Sequence, residues 1–167
     1  MKDNIAQRLV NSLKESGVDF ITYLPETRLS EMIPLVRADS SIKVVPTTSE
    51  AEAVSIAAGA ALSGHQAAVY MEGTGVYVSA YSLISVGERF GVPMLLLVSY
   101  VGSFADKKNS SAFSHYGRTS KLLEALGIEY QIVNRAADLE EQIGDAIRVM
   151  NSLKLPVALL FTGEFTL

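Results

Sequence analysis

Six short apolar runs, each separated from the next by a stretch of helical spacing, constrain this chain more than any other feature. The runs are Phe20 to Leu24, Ile42 to Pro46, Ala67 to Met71, Val92 to Ser99, Glu129 to Val133 and Pro156 to Phe161. Each has the length of a strand, and glycine, proline or polar residues separate them. Helices are expected over about Asp3 to Ser16, across Leu29, Met32, Ile33 and Val36, over Glu50 to Leu62, from the glycines after Met71 to about Phe90, over Arg118 to Leu126, and after Asp138. Strands that alternate with helices predict a parallel sheet joined by right-handed crossovers. The run VPMLLLVS reads as a strand buried on both faces. The expected class is α/β: a three-layer sandwich with a mostly parallel six-stranded sheet and helices on both faces. One domain over residues 1–167 suits the length.

Composition excludes several functions. A hydrophobic share of 49% with 19% charged residues describes a globular chain. The net charge is −4 and no basic run occurs, so nucleic acid is not an expected partner. Cysteine is absent, which removes disulfides and thiol catalysis and suits a cytoplasmic setting. Two histidines argue against a structural zinc site, and no metal ligands are expected. The start, MKDNIAQRL, reads as helix rather than as a secretory signal. The longest apolar runs, such as Pro93 to Val98, are too short to span a membrane.

Ligands of parallel sheets lie beyond the carboxyl ends of the strands. Polar or glycine-bearing stretches fall there at Pro25 to Arg28, Glu72 to Gly75 and Gly102 to Gly117, and in the lead into Glu50. Glu50 opens a helix almost without large side chains: Ala51, Ala53, Ala57, Ala58, Gly59, Ala60 and Ala61. Something can pack very close to such a helix, and a carboxylate withheld from water there is a candidate proton donor or acceptor. A second reading stays open: Thr48 or Ser49 caps the helix, and Glu50 and Glu52 decorate its first turn. Gly73, Thr74 and Gly75 follow a strand and open a helix, but Val78 stands where a dinucleotide fingerprint needs glycine. Neither a Walker A sequence nor a nucleophile elbow occurs. His115 lies in the long polar loop, whereas His65 is expected to face solvent at the opposite end of the sheet. Lys107, Lys108, Arg28 and Arg118 either bind an anion or solubilise their surroundings.

These residues resemble a family. Glu50 and the alanines after it, with Gly59, are similar to the E-x-x-A-x-x-x-A-x-G signature of the pyrimidine-binding domain of thiamine diphosphate enzymes. GVDFITYLPET is similar to that family's first strand and loop, and VYMEGTGVYVSAYSLISVGERFGVPMLLLVS to its third strand, glycine turn, helix and fourth strand. The run HYGRTSKLLEALGIEYQIV is similar to the alpha subunits of sulfopyruvate decarboxylases, and single-chain phosphonopyruvate decarboxylases share this half.

The resemblance implies a thiamine diphosphate-dependent decarboxylase of small anionic 2-oxo acids. Sulfopyruvate is the expected substrate and phosphonopyruvate the neighbour; a non-catalytic assembly subunit is the competing class. It implies that Glu50 bonds the cofactor's aminopyrimidine and that Gly73, Thr74 and Gly75 border it. Pro25, Glu26 and Thr27 fall on the substrate side. An anionic tail needs cationic partners, for which Arg28, Lys107, Lys108 and Arg118 are the candidates. Ser114 and His115 fall where some relatives place a histidine pair for proton transfer. Nearer relatives carry N-S-G-x-G-N at the glycine turn, and Glu72 and Tyr77 depart from it here. The G-D-G…N-N motif that holds diphosphate and magnesium in this family does not occur in the chain. This chain is therefore expected to take only the pyrimidine end of the cofactor. A beta-type subunit would supply the rest, in a homodimer or hetero-oligomer.

Overall fold

The computed structural model describes residues 3–26, 28–106 and 117–165. Six strands run β1 Phe20–Tyr23, β2 Lys43–Pro46, β3 Ala67–Glu72, β4 Leu95–Ser99, β5 Glu129–Val133 and β6 Val157–Phe161. They form one sheet in the order β2-β1-β3-β4-β6-β5, with every pairing parallel. The expected α/β class and six-stranded sheet are borne out. Six α-helices alternate with the strands: α1 Asp3–Glu15, α2 Met32–Ala38, α3 Glu50–Leu62, α4 Gly73–Ser82, α5 Arg118–Ala125 and α6 Leu139–Leu153.

Side chains along β3 and β4 alternate between two separate cores, because successive residues of a strand point to opposite faces. Ala68, Tyr70, Leu95 and Leu97 join the layer of α1, α2 and α6. Ala67, Val69, Met71, Leu96 and Val98 join the layer of α3, α4 and α5. A strand buried on both faces reads as an unbroken apolar run, as VPMLLLVS does.

Several boundaries differ from the expectation by a residue or more, and two bear on the site and its strands. β4 begins at Leu95 rather than Val92, because Pro93 has no N–H to give to a ladder. Glu72 is still paired with Ser99, and α4 begins at once with Gly73. The glycines are therefore the first turn of a helix and not a separate loop. After Ser82 the helix widens into a π-helical stretch, Leu83–Glu88. No helix among the described residues is long and apolar enough to cross a membrane.

Lys14 ties α1 to the end of α2, with Nζ 2.6 Å from Asp39 Oδ2. Ser41 gives Asp39 Oδ1 its N–H at 2.9 Å and its hydroxyl at 2.6 Å. The hydrogen bond from Lys14, followed by those from Ser41, lowers the Asp39 pKa from 3.8 to about 2. A group depressed on folding stabilises fully above its unfolded pKa, and that contribution fades as pH falls through the folded value. The stability gap between wild type and Asp39→Asn should therefore be constant above about pH 5 and shrink from about pH 4 towards 2. Urea melts across that range measure it.

Candidate functional site at the switch point

The chain reverses direction across the sheet between β1 and β3. The connection after β1 leads to α2 on one face, and the connection after β3 leads to α4 on the other. A crevice at such a point is where parallel sheets take ligands. Pro25 and Glu26 leave β1 there, Gly73 to Gly75 leave β3 there, and Glu50 opens α3 after β2.

Ser49 caps α3 by accepting the Glu52 N–H at 3.2 Å. Glu52 reaches back to the Thr48 N–H at 2.7 Å and its hydroxyl at 2.8 Å, and these bonds hold its carboxyl below the usual range. The capping reading thus holds for Ser49 and Glu52. Glu50 is different. Its side chain is half-buried, and no side chain among the described residues pairs with it. A methyl group built on Gly75 would lie 2.5 Å from Glu50 Cγ and 2.9 Å from Oε1. Only hydrogen fits at position 75 while Glu50 keeps this conformation. The same test at Gly73 meets Thr119 Oγ1 at 2.8 Å. That hydroxyl also bonds the Gly73 carbonyl at 3.3 Å and the Tyr77 hydroxyl at 3.2 Å. The glycines let α4 start hard against α3 and α5. Thr74 Oγ1 lies 3.4 Å from the Glu72 carboxylate.

Behind Glu50, α3 buries Ala53, Ala57, Ala58 and Ala60 beside β1 and β3. Thr22 Oγ1 donates to the Ala53 carbonyl at 3.0 Å, fixing the helix to β1.

Glu26 gathers the strand ends. Oε1 accepts from the Ser99 hydroxyl at 2.8 Å, the Leu29 N–H at 2.8 Å and the Tyr70 hydroxyl; Oε2 accepts from the Arg28 N–H at 2.8 Å. Its carboxylate is committed to ordering the loop, and Pro25 beside it is exposed. Arg28 pairs with Asp106. Thr27, Lys107, Lys108, Ser114 and His115 lie outside the described residues. Arg118 is exposed at the start of α5. His65 sits at the other end of the sheet, with Nδ1 3.0 Å from Asp19 Oδ2 and its ring against Phe20. Among the described residues no group of three or more acidic or histidine side chains could hold a metal.

Sequence reasoning missed Tyr70, Ser99 and Thr119. Tyr70 and Ser99 carried a faint signal, as polar atoms within or ending apolar strands; buried hydroxyls require partners. Thr119 carried none.

The chain is similar to known proteins along most of its length. The model of the thiamine pyrophosphate enzyme N-terminal TPP binding domain matches residues 3–114. The sulfopyruvate decarboxylase subunit alpha of Methanocaldococcus jannaschii is 33% identical, over 94% of this chain and 92% of that protein. The subunits of the same name from Methanococcus maripaludis and Methanothermobacter thermautotrophicus are 29% and 28% identical. The alignments cover 97% and 99% of this chain, and 96% and 99% of theirs. Among solved structures, a 2-oxoglutarate:ferredoxin oxidoreductase from Magnetococcus marinus superposes with a TM-score of 0.76 at 16% identity. That match covers 99% of this chain and 29% of the oxidoreductase chain, and it speaks to the fold alone. The chain belongs to the family of thiamine pyrophosphate enzyme N-terminal TPP binding domains.

Proposed function

We propose that this chain is the pyrimidine-side subunit of a thiamine diphosphate-dependent decarboxylase that converts sulfopyruvate to sulfoacetaldehyde and carbon dioxide. The observation that carries the chemistry is the half-buried, unpaired carboxylate of Glu50 against Gly75, at the sheet's switch point. The substrate follows from end-to-end similarity to three sulfopyruvate decarboxylase alpha subunits.

The donor set fits an aminopyrimidine. Such a ring presents a nitrogen that can share a proton, and Glu50 offers a carboxylate with no competing partner. The small side chains of α3 and the first turn of α4 leave backbone, not bulk, around it. When bound, the cofactor supplies the electron sink that lets carbon dioxide leave. Glu50 holds the proton shared with the ring nitrogen, and partial burial strengthens that bond. Gly73, Thr74 and Gly75 border the ring, Pro25, Glu26 and Thr27 stand on the substrate side, and His115 is the candidate for proton transfer.

The diphosphate and magnesium fall to a partner subunit in this reading, since the chain lacks the G-D-G…N-N pattern. The flank of α3 and α4 suits that partner. From Ala53 to Gly87 the only charged residue is Glu72. Leu62, Val78, Tyr81 and Ile84 stand exposed on these helices and the π-helical stretch, Tyr81 at 83%. Apolar patches of this kind mark interaction surfaces.

Co-expression with the partner subunit tests the proposal. The complex should release carbon dioxide from sulfopyruvate with thiamine diphosphate and magnesium, whereas the chain alone should bind the cofactor weakly by calorimetry. A complex that acts on phosphonopyruvate alone would reassign the substrate. An inert complex would mark an assembly subunit, and tight cofactor binding by the single chain would remove the partner.

A further inference from the structure

Arg28 lies in the connection between β1 and α2, at the carboxyl end of the sheet. Its Nη2 donates to Asp106 Oδ2 at 2.8 Å, and the Gly102 N–H donates to the same oxygen at 2.8 Å. The Arg28 side chain is 11% exposed and that of Asp106 1%. Nη1 is buried and has no hydrogen-bond partner among the described residues. A guanidinium carries five N–H donors in a rigid fork. A buried, charged donor left unbonded is strongly unfavourable, and each such group requires an explanation. An ion pair with Asp106 uses one end of the fork and needs nothing of the other.

We infer that Arg28 is the specificity residue for the substrate's anionic tail, with Nη1 as the donor to a tetrahedral oxyanion of the sulfonate or phosphonate class. The inference rests on the decarboxylase reading above. Asp106 fixes the plane of the guanidinium and neutralises it, so the free end selects by geometry more than by net charge. Burial raises the worth of a charge-assisted hydrogen bond, and the surrounding side chains must yield by about the width of an oxygen to admit it. Of the four cations expected to serve a tail, Arg118 is exposed at the start of α5, and Lys107 and Lys108 lie outside the described residues.

The test uses the assembled complex, with Arg28→Lys beside wild type. Lysine keeps a charge for Asp106 and so protects the fold, but it leaves nothing in place of Nη1. The Michaelis constant for sulfopyruvate should rise on the order of tenfold or more, with little change in kcat. The tail-less analogue pyruvate, as substrate or inhibitor, should be unaffected. Equal losses with both compounds would mean that Arg28 serves the loop or the common carboxylate, and would overturn the inference, as would no loss with either. Phosphonopyruvate in the same assay separates the two tail chemistries. Inert wild type would end the decarboxylase reading. Calorimetry of the full chain with sulfoacetate then decides the anion site: binding lost in Arg28→Lys sustains it, and equal or absent binding ends it.

Discussion

Replacing Glu50 with Gln in the assembled complex should lower decarboxylation by roughly 10²–10⁴-fold, the usual worth of a positioned acid–base group. The amide has the size of the carboxylate and can still hydrogen bond. It cannot hold a proton in common with a ring nitrogen. Stability should hardly change, because no described side chain pairs with Glu50 and its removal orphans nothing. The loss should fall on kcat, with assembly intact by gel filtration. Turnover within a few-fold of wild type would remove Glu50 from the chemistry.

Gly75→Ala should do comparable harm without touching a functional group. The added methyl would meet Glu50 Cγ at 2.5 Å. That atom is near the root of the side chain, so the carboxylate must swing to another rotamer. Rotamer wells are about 120° apart, which moves the carboxylate by ångströms. Misplacement of about 1 Å can lower a rate by roughly 10²-fold. Position 75 lies inside α4 at an ordinary helical angle, where alanine is favoured over glycine by about 1 kcal/mol. That gain offsets part of the cost of displacing Glu50, so the variant should melt within a few degrees of wild type yet lose about two orders of magnitude in kcat. Activity and melting temperature measured on one preparation separate the two effects. An active, stable Gly75→Ala complex would show that Glu50 works from another rotamer.

Local spacing made the sheet, the layers and the small-residue helix legible, because each depends on periodicity within a few residues. Boundaries were less legible where a backbone detail decides them, as at Pro93 and at the abrupt start of α4 on Gly73. The site was legible where one residue carries the chemistry. Glu50 stands out among alanines. Its contact with Gly75 does not, because the two are 25 positions apart and meet only once α3 and α4 pack. The bond from Arg28 to Asp106 spans 78 positions, and nothing local distinguishes those residues from other loop charges. Glu26 read as a group for substrate, yet its carboxylate accepts four hydrogen bonds from its own chain. Burial of Tyr70 and Ser99 creates that demand, and burial is a property of the assembled sheet.

The exposed apolar side chains of α4 and the π-helical stretch bear on how such a protein is made. If a counterpart covers these side chains as proposed, copies synthesised in excess of it would carry Val78, Tyr81 and Ile84 bare into water, and clumping should rise with dose. On the partner proposal, balanced translation of two polypeptides should keep more of this chain in solution than its expression alone.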